Sequence, residues 1–191
     1  METGGHAQFA SVVALANMGF GFMLFLDGFI YTGIVPLNDS LGMLVFNLFW
    51  IVGIGYFIAG IVEVRNGQIQ TGFVVLAYSL FGFILWSVYF FSYGMRLFYP
   101  PTPTDLLVFW IFWMFISVLS GVLLHPLGRM FEINLYWLAV TFALFAAAGY
   151  GNLLVEFVAG VVSFLQGFYN WYLTSATVVN TVYKKLLLPL R

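Results

Sequence analysis

The 191-residue chain has no cysteine, two histidines and only 7% charged residues, six Lys and Arg against seven Asp and Glu. Each shortage closes a class of function. Without cysteine there is no disulfide, no thiolate catalysis and no cysteine-based metal or iron–sulfur centre. His6 and His125 lie too far apart in sequence to suggest a histidine metal site. A formal net charge of -1 leaves no basic field for nucleic acid, which needs clustered Lys and Arg. No nucleophile–base–orienter set, P-loop, HExxH or paired-acid motif occurs, so neither catalysis nor a cofactor is expected.

What is abundant is apolar. Hydrophobic residues make up 63% of the chain and aromatics 21%, with 23 phenylalanines. The mean hydropathy is +1.02. Soluble proteins carry roughly a quarter charged residues, so a water-soluble globule is excluded. At ~20 apolar residues per bilayer-spanning helix, the length accommodates about six spans. The expected architecture is one all-α domain over residues 1–191, integral to the membrane, with spans near 9–35, 41–62, 71–93, 106–124, 135–149 and 153–174. Residues 1–5 lack the Lys or Arg of a signal peptide, so the first apolar run reads as a retained helix. Pro36, Asn38 and Asp39 break the first run from the second, Asn66-Gly67 marks a tight reversal, and Pro100, Pro101 and Pro103 end the third.

Six spans place both termini on one side of the bilayer. That side carries Arg65, Arg129, Lys184, Lys185 and Arg191, and the opposite side only Arg96, which predicts cytoplasmic termini in the plasma membrane. Small residues recur at helical spacing, as in Gly21 and Gly28, Gly53 and Gly60, and Gly160 and Gly167. They predict close backbone approach between helices, where lipid supplies no hydrophobic drive; the alternative is that some widen a pore.

Two carboxylates fall inside spans, Asp27 and Glu156. A charged acid within the bilayer costs several kcal/mol on insertion scales, so such groups usually face water or a partner. Both are expected on the outer side, roughly 7–10 Å from mid-membrane, as pore-lining and proton-titrating candidates. The structural alternatives are a hydrogen bond from Asp27 to Tyr31 or a neighbouring helix, and a Glu156 that reaches interfacial water. No Lys or Arg lies in the interior of a span, so electrostatics favours neutral solutes, weak acids or cations over a bare anion. The hydrogen-bonding groups within spans are few; they include Asn17, Tyr78, Ser117, Ser120 and Thr141, with Asn152 and Asn170 near the ends of the last helix. Thr141 and Asn152 are candidates to hydrogen-bond a solute. An apolar constriction can serve as a gate in such a bundle.

Several segments carry a resemblance. They are Gly19-Phe20-Gly21, then Ala59-Gly60-Ile61-Val62-Glu63 with Asn66-Gly67, and Tyr78-Ser79 with Phe81. The later ones are Phe142-Ala143-Leu144, Ala159-Gly160, Gly167, Tyr172-Leu173, Asn180 and Leu188-Pro189. In residue type and spacing these are similar to the acetate uptake transporter family. The resemblance implies a homohexamer in which each six-helix protomer encloses its own pathway, narrowed midway by Phe20, Tyr78 and Leu138, and passing acetate or another small monocarboxylate. It implies self-association and a small-molecule solute as the partners besides lipid. One departure is large. The family's Asn-Pro-Ala-Pro-Leu-Gly signature is replaced by Ser11-Val12-Val13-Ala14-Leu15-Ala16, so a different entrance is expected. Rival expectations are a channel for a neutral or cationic solute such as ammonia or urea, and a non-conducting membrane scaffold.

Overall fold

A computed structural model describes residues 3–190. Six helices in it are long and apolar enough to cross a membrane, and the chain is a multi-pass membrane protein. They are α1 (Thr3–Tyr31), α2 (Leu37–Arg65), α3 (Ile69–Gly94), α4 (Pro103–Leu124), α5 (Arg129–Ala148) and α6 (Leu153–Tyr183). No strand occurs among the described residues. Six crossings leave both ends of the described chain on one face of the bundle, called the terminal face below.

The punctuation is local chemistry. Gly67 takes the left-handed conformation, φ +79°, that the α2–α3 reversal needs. Thr102 and Asp105 form a reciprocal capping box ahead of α4: the Asp105 amide donates to Thr102 Oγ1 at 3.2 Å and the Thr102 amide to Asp105 Oδ2 at 2.9 Å. Two boundaries differ from expectation. α5 starts at Arg129 rather than near 135, because the short His125–Leu127 turn and Gly128, φ +137°, complete the reversal early. α6 runs past 174 to Tyr183, with Thr174 and Thr177 still facing inward.

The helices close a ring in which α1 lies between α6 and α2, α3 beside α2, and α4 and α5 complete the circle back to α6. Its seams are of two kinds. Along α1–α6 the backbones touch: a Cβ on Gly167 would lie 2.8 Å from the Gly21 carbonyl oxygen, and one on Gly160 2.6 Å from the Thr32 nitrogen. The repeated small residues therefore serve packing here. Between α3 and α4 the gap is instead filled by rings, with Phe81 against Trp113 at 5.0 Å and Tyr78 against Trp113 at 6.0 Å between centroids.

α2 is π-helical over Asn47–Gly55 and α3 over Tyr89–Gly94. Such a stretch shifts backbone groups out of the regular ladder, and neighbours take them up. Ser79 donates to the Gly53 carbonyl at 2.8 Å; apart from that, the Asn47 side-chain amide at the start of the stretch donates to Gly19 O of α1 at 3.2 Å, so that α2 is tied to both α3 and α1. After α6, Lys184 turns left-handed, φ +50°, and the chain doubles back. Asn180 holds it there, accepting from the Leu187 and Leu188 amides at 2.8 and 2.9 Å and donating to Leu188 O at 2.7 Å.

Candidate functional site

Three helices run in the same direction from the terminal face, and each contributes one two-turn stretch to a common wall: Val13 to Phe20 on α1, Thr71 to Tyr78 on α3, and Phe131 to Leu138 on α5. Seven residues span about 10 Å of helix, so the last residue of each stretch lies two turns in from its first. Those last residues are Phe20, Tyr78 and Leu138. They line one cavity of about 170 Å³, together with Asn17, Tyr56, Asn134 and Asn170, and Leu190 of the returning tail borders it. Among the described residues no charged side chain lines it.

The end wall is aromatic. Phe20 meets Tyr78 edge-on at 5.4 Å and Tyr56 at 6.0 Å between centroids, and Phe81 lies 6.0 Å behind it. All are buried. Beyond this layer the bundle is solid: Phe81 packs on Phe142, Trp110 on Phe142 and Phe145, and Tyr31 stacks on Phe145 at 4.4 Å. The cavity thus occupies the terminal half and stops at the level of Phe20; among the described residues rings fill the bundle beyond it, and a separate open pocket lies at the opposite rim, bordered by Asn38, Ser92, Tyr93, Arg96 and Pro100.

A polar ladder stiffens the α5–α6 side of the cavity. Thr141 donates to Gln166 Oε1 at 2.7 Å, Gln166 Nε2 donates to Asn134 O at 3.0 Å, and the Asn134 and Asn170 amides pair at 3.0 Å. Gln166 is fully buried. Its carbonyl oxygen and amide nitrogen are both used within the protein, which fixes the neighbours rather than offering itself to a solute.

The remaining expected residues sit elsewhere. Asp27 shares the α1 face with Phe20 but lies two turns farther along, past the aromatic layer. It is 3% exposed and its Oδ2 has no hydrogen-bond partner. Tyr31 and Tyr89 lie within its electrostatic reach, and Tyr31 in turn lies within reach of Tyr93 and the half-buried Glu156. Neither acid lines the cavity. The alternative of a hydrogen bond from Asp27 to Tyr31 is not realised either, since none forms. Thr141 has its proton engaged by Trp137 O and Gln166. Asn152 is exposed at the start of α6, accepting from the Leu154 and Val155 amides at 3.1 and 3.2 Å. It is a helix cap rather than a wall residue, because an Asn just ahead of an apolar run satisfies the otherwise unpaired first amides.

Sequence reading missed Gln166, Asn134 and Glu63 as inward-facing groups. A signal existed for the first: Ser163, Gln166, Asn170 and Thr174 form one polar stripe at helical spacing, and all are buried. Asn134 was hidden by placing the start of α5 too late. Glu63 reads from sequence as the charged end of a span, yet it is fully buried and neither carboxylate oxygen has a partner among the described residues. It lies on the stripe of Tyr56 and Ala59, facing the bundle.

No protein-family model matches the chain, and no curated protein matches it in sequence. Among solved structures it is similar to the bacterial acetate channel SatP, with a TM-score of 0.87 and 22% sequence identity over 95% of this chain and 98% of that one. That degree of likeness establishes a shared fold, the one expected from the acetate uptake transporter resemblance.

Proposed function

We propose that the protein is a membrane channel or transporter for acetate or a comparably small monocarboxylate, with the pathway inside each protomer and Phe20, Tyr78 and Leu138 as its waist. The reading includes cytoplasmic termini, a plasma-membrane location and a homohexameric assembly. One observation carries it: the side chains named by a resemblance in sequence are contributed by three different helices and border a single cavity, in a fold shared with a protein described as an acetate channel. A merely structural trio would have no reason to border open space together.

Passage requires the aromatic layer beyond the waist to move, since it is packed shut. Side-chain rotation of Phe20 and Phe81 is the smallest motion that opens it, and an apolar constriction closes by excluding water. Asp27 lies on the far side of that layer and is the group that would take up or release a proton there, with Glu156 nearer the opposite mouth. Uptake of labelled acetate by vesicles holding the purified protein tests the reading. Uptake above that of protein-free vesicles, abolished by Phe20→Trp, is the expected result; no uptake of any small solute returns the chain to the scaffold reading. A second reading, a channel for a neutral solute such as urea or ammonia, is favoured by the absence of charge in the cavity wall. The same vesicles, swelling in urea but inert to acetate, would select it.

A further inference from the structure

Hydrogen bonds at the waist have a direction, and it constrains what can pass. Ser117 Oγ lies 2.8 Å from the Trp113 carbonyl oxygen and 2.8 Å from the Tyr78 hydroxyl, with Ser117 fully buried. A carbonyl only accepts, so the single serine proton goes to Trp113, and the Tyr78 hydroxyl must be the donor to Ser117. The proton of Tyr78 therefore points into α4, and the phenol oxygen has only lone pairs left for the cavity. Tyr56 repeats the arrangement, giving its proton to Asn17 Oδ1 at 2.8 Å. The third wall members, Phe20 and Leu138, offer nothing polar. Asn17, bordering the same cavity, has no partner for its amide N–H groups among the described residues.

We propose that Ser117 is a specificity-determining positioning residue: by holding the Tyr78 proton away from the lumen it makes the waist accept protons only, and so admits small neutral solutes that bring both a donor and an acceptor. An undissociated monocarboxylic acid or a primary amide fits, donating to the Tyr78 oxygen and accepting from Asn17. A carboxylate does not, because it would set its own lone pairs against those of Tyr78 in a cavity without a positive charge. The groups around Tyr78 add no charge: Phe20 from α1, Tyr56 from α2, Trp113, Ser117 and Ser120 from α4 and Leu138 from α5, of which Tyr56 alone is titratable. This inference rests on the pathway proposed above and names the form of the solute that travels it.

The test uses the purified full chain in two settings at neutral pH. Planar bilayers in potassium acetate report the anion as a current; vesicles in an acetamide gradient report a neutral donor–acceptor molecule as swelling. The wild type should swell faster than protein-free vesicles and carry no acetate current. Replacing Ser117→Ala together with the neighbouring, unbonded Ser120→Ala leaves the Tyr78 proton free to turn into the lumen. Acetate current should then rise by about tenfold over background, the ratio one recovered hydrogen bond to a charged group supports. Ser117→Thr keeps the hydroxyl and should keep the wild-type behaviour. An acetate current through the wild type overturns the inference and leaves the pathway standing, and it does so without any variant having to fold. A double variant that passes acetamide but still no acetate also overturns it. A wild type that passes neither overturns the pathway, and this inference with it.

Discussion

Cut across its axis, the bundle has two unlike halves. The terminal half surrounds a cavity whose wall is mostly apolar, with a few amides and hydroxyls and, among the described residues, no charge; the middle of the other half is filled by Phe81, Trp110, Phe142 and Phe145, with the buried carboxyl of Asp27 above them, and its rim holds an open pocket bordered by Asn38, Ser92, Tyr93 and Arg96. A protein that only needed to be stable in lipid would have no use for the asymmetry, since both halves face the same hydrocarbon. The cavity half leaves contacts unmade that the aromatic half makes in full, and dispersion contacts are what holds membrane helices together. The difference locates the barrier. On the proposed pathway a solute entering from the terminal face meets a largely apolar wall set with a few amides and hydroxyls up to the level of Phe20 and must then part a ring layer.

Breaking the packed half should give the largest effect. Phe81 is fully buried and touches rings from α1, α3, α4 and α5. Phe81→Ala leaves a cavity where the structure has none, at a cost of about 3–5 kcal/mol. Thermal unfolding in detergent measures that loss, and solute flux through surviving protein should rise. Leu138→Ala, beside space already open, should cost less than the usual Leu→Ala range and serves as the matched control. Equal losses for the two would mean that the halves do not differ in packing.

The terminal half is sharpened at Gln166. Gln166→Leu keeps the volume but removes the side-chain donor to the Asn134 carbonyl and the side-chain acceptor of Thr141, each of which keeps its helical partner, a loss of about 1–2 kcal/mol. Because Asn134 and Asn170 border the cavity, acetate uptake should fall with it, whereas the same substitution logic at Ser79, in the α2–α3 seam, should lower stability and leave selectivity alone.

How much of this could be read before the fold was seen follows the same division. Spans, their number and the small-residue seams were legible, because hydrocarbon imposes a length and forces backbones together where bulk is missing. Phe20, Tyr78 and Leu138 were named from a resemblance; nothing in the apolar runs around them distinguishes a wall from a core. The carboxylates were read by cost alone. That reasoning found Asp27 but placed it on an open conduit, since a depth along one helix says nothing of the rings that other helices insert at that depth. Glu63 escaped because an acid beside Arg65 and Asn66 looks like the solvated end of a span, and only the packing of α2 against its neighbours shows it covered. Asn152 was weighed as a solute ligand for its chemistry, when its position one residue ahead of Leu153 had already assigned its oxygen to the helix amides.

Smaller effects separate the two acids and the cap. Asp27→Asn preserves shape and removes the ability to ionise, so it should flatten the pH profile of acetate uptake while changing the neutral-pH rate by no more than about threefold, within the scatter of a single polar substitution. An unchanged profile would remove Asp27 from any coupling between proton and solute. Glu156→Gln provides the comparison, because Glu156 is half-buried where Asp27 is enclosed, and it should contribute less. Asn152→Ala should have the least influence on transport of all. It deletes the acceptor for two amides and costs about 1 kcal/mol of stability, yet the side chain is exposed and borders neither the cavity nor the aromatic layer, so uptake per folded protein stays at the wild-type value. If uptake fell while folding held, the first turn of α6, with Glu156 on it, would belong to the solute's route, and the closed half of the bundle would have an entrance beside that turn.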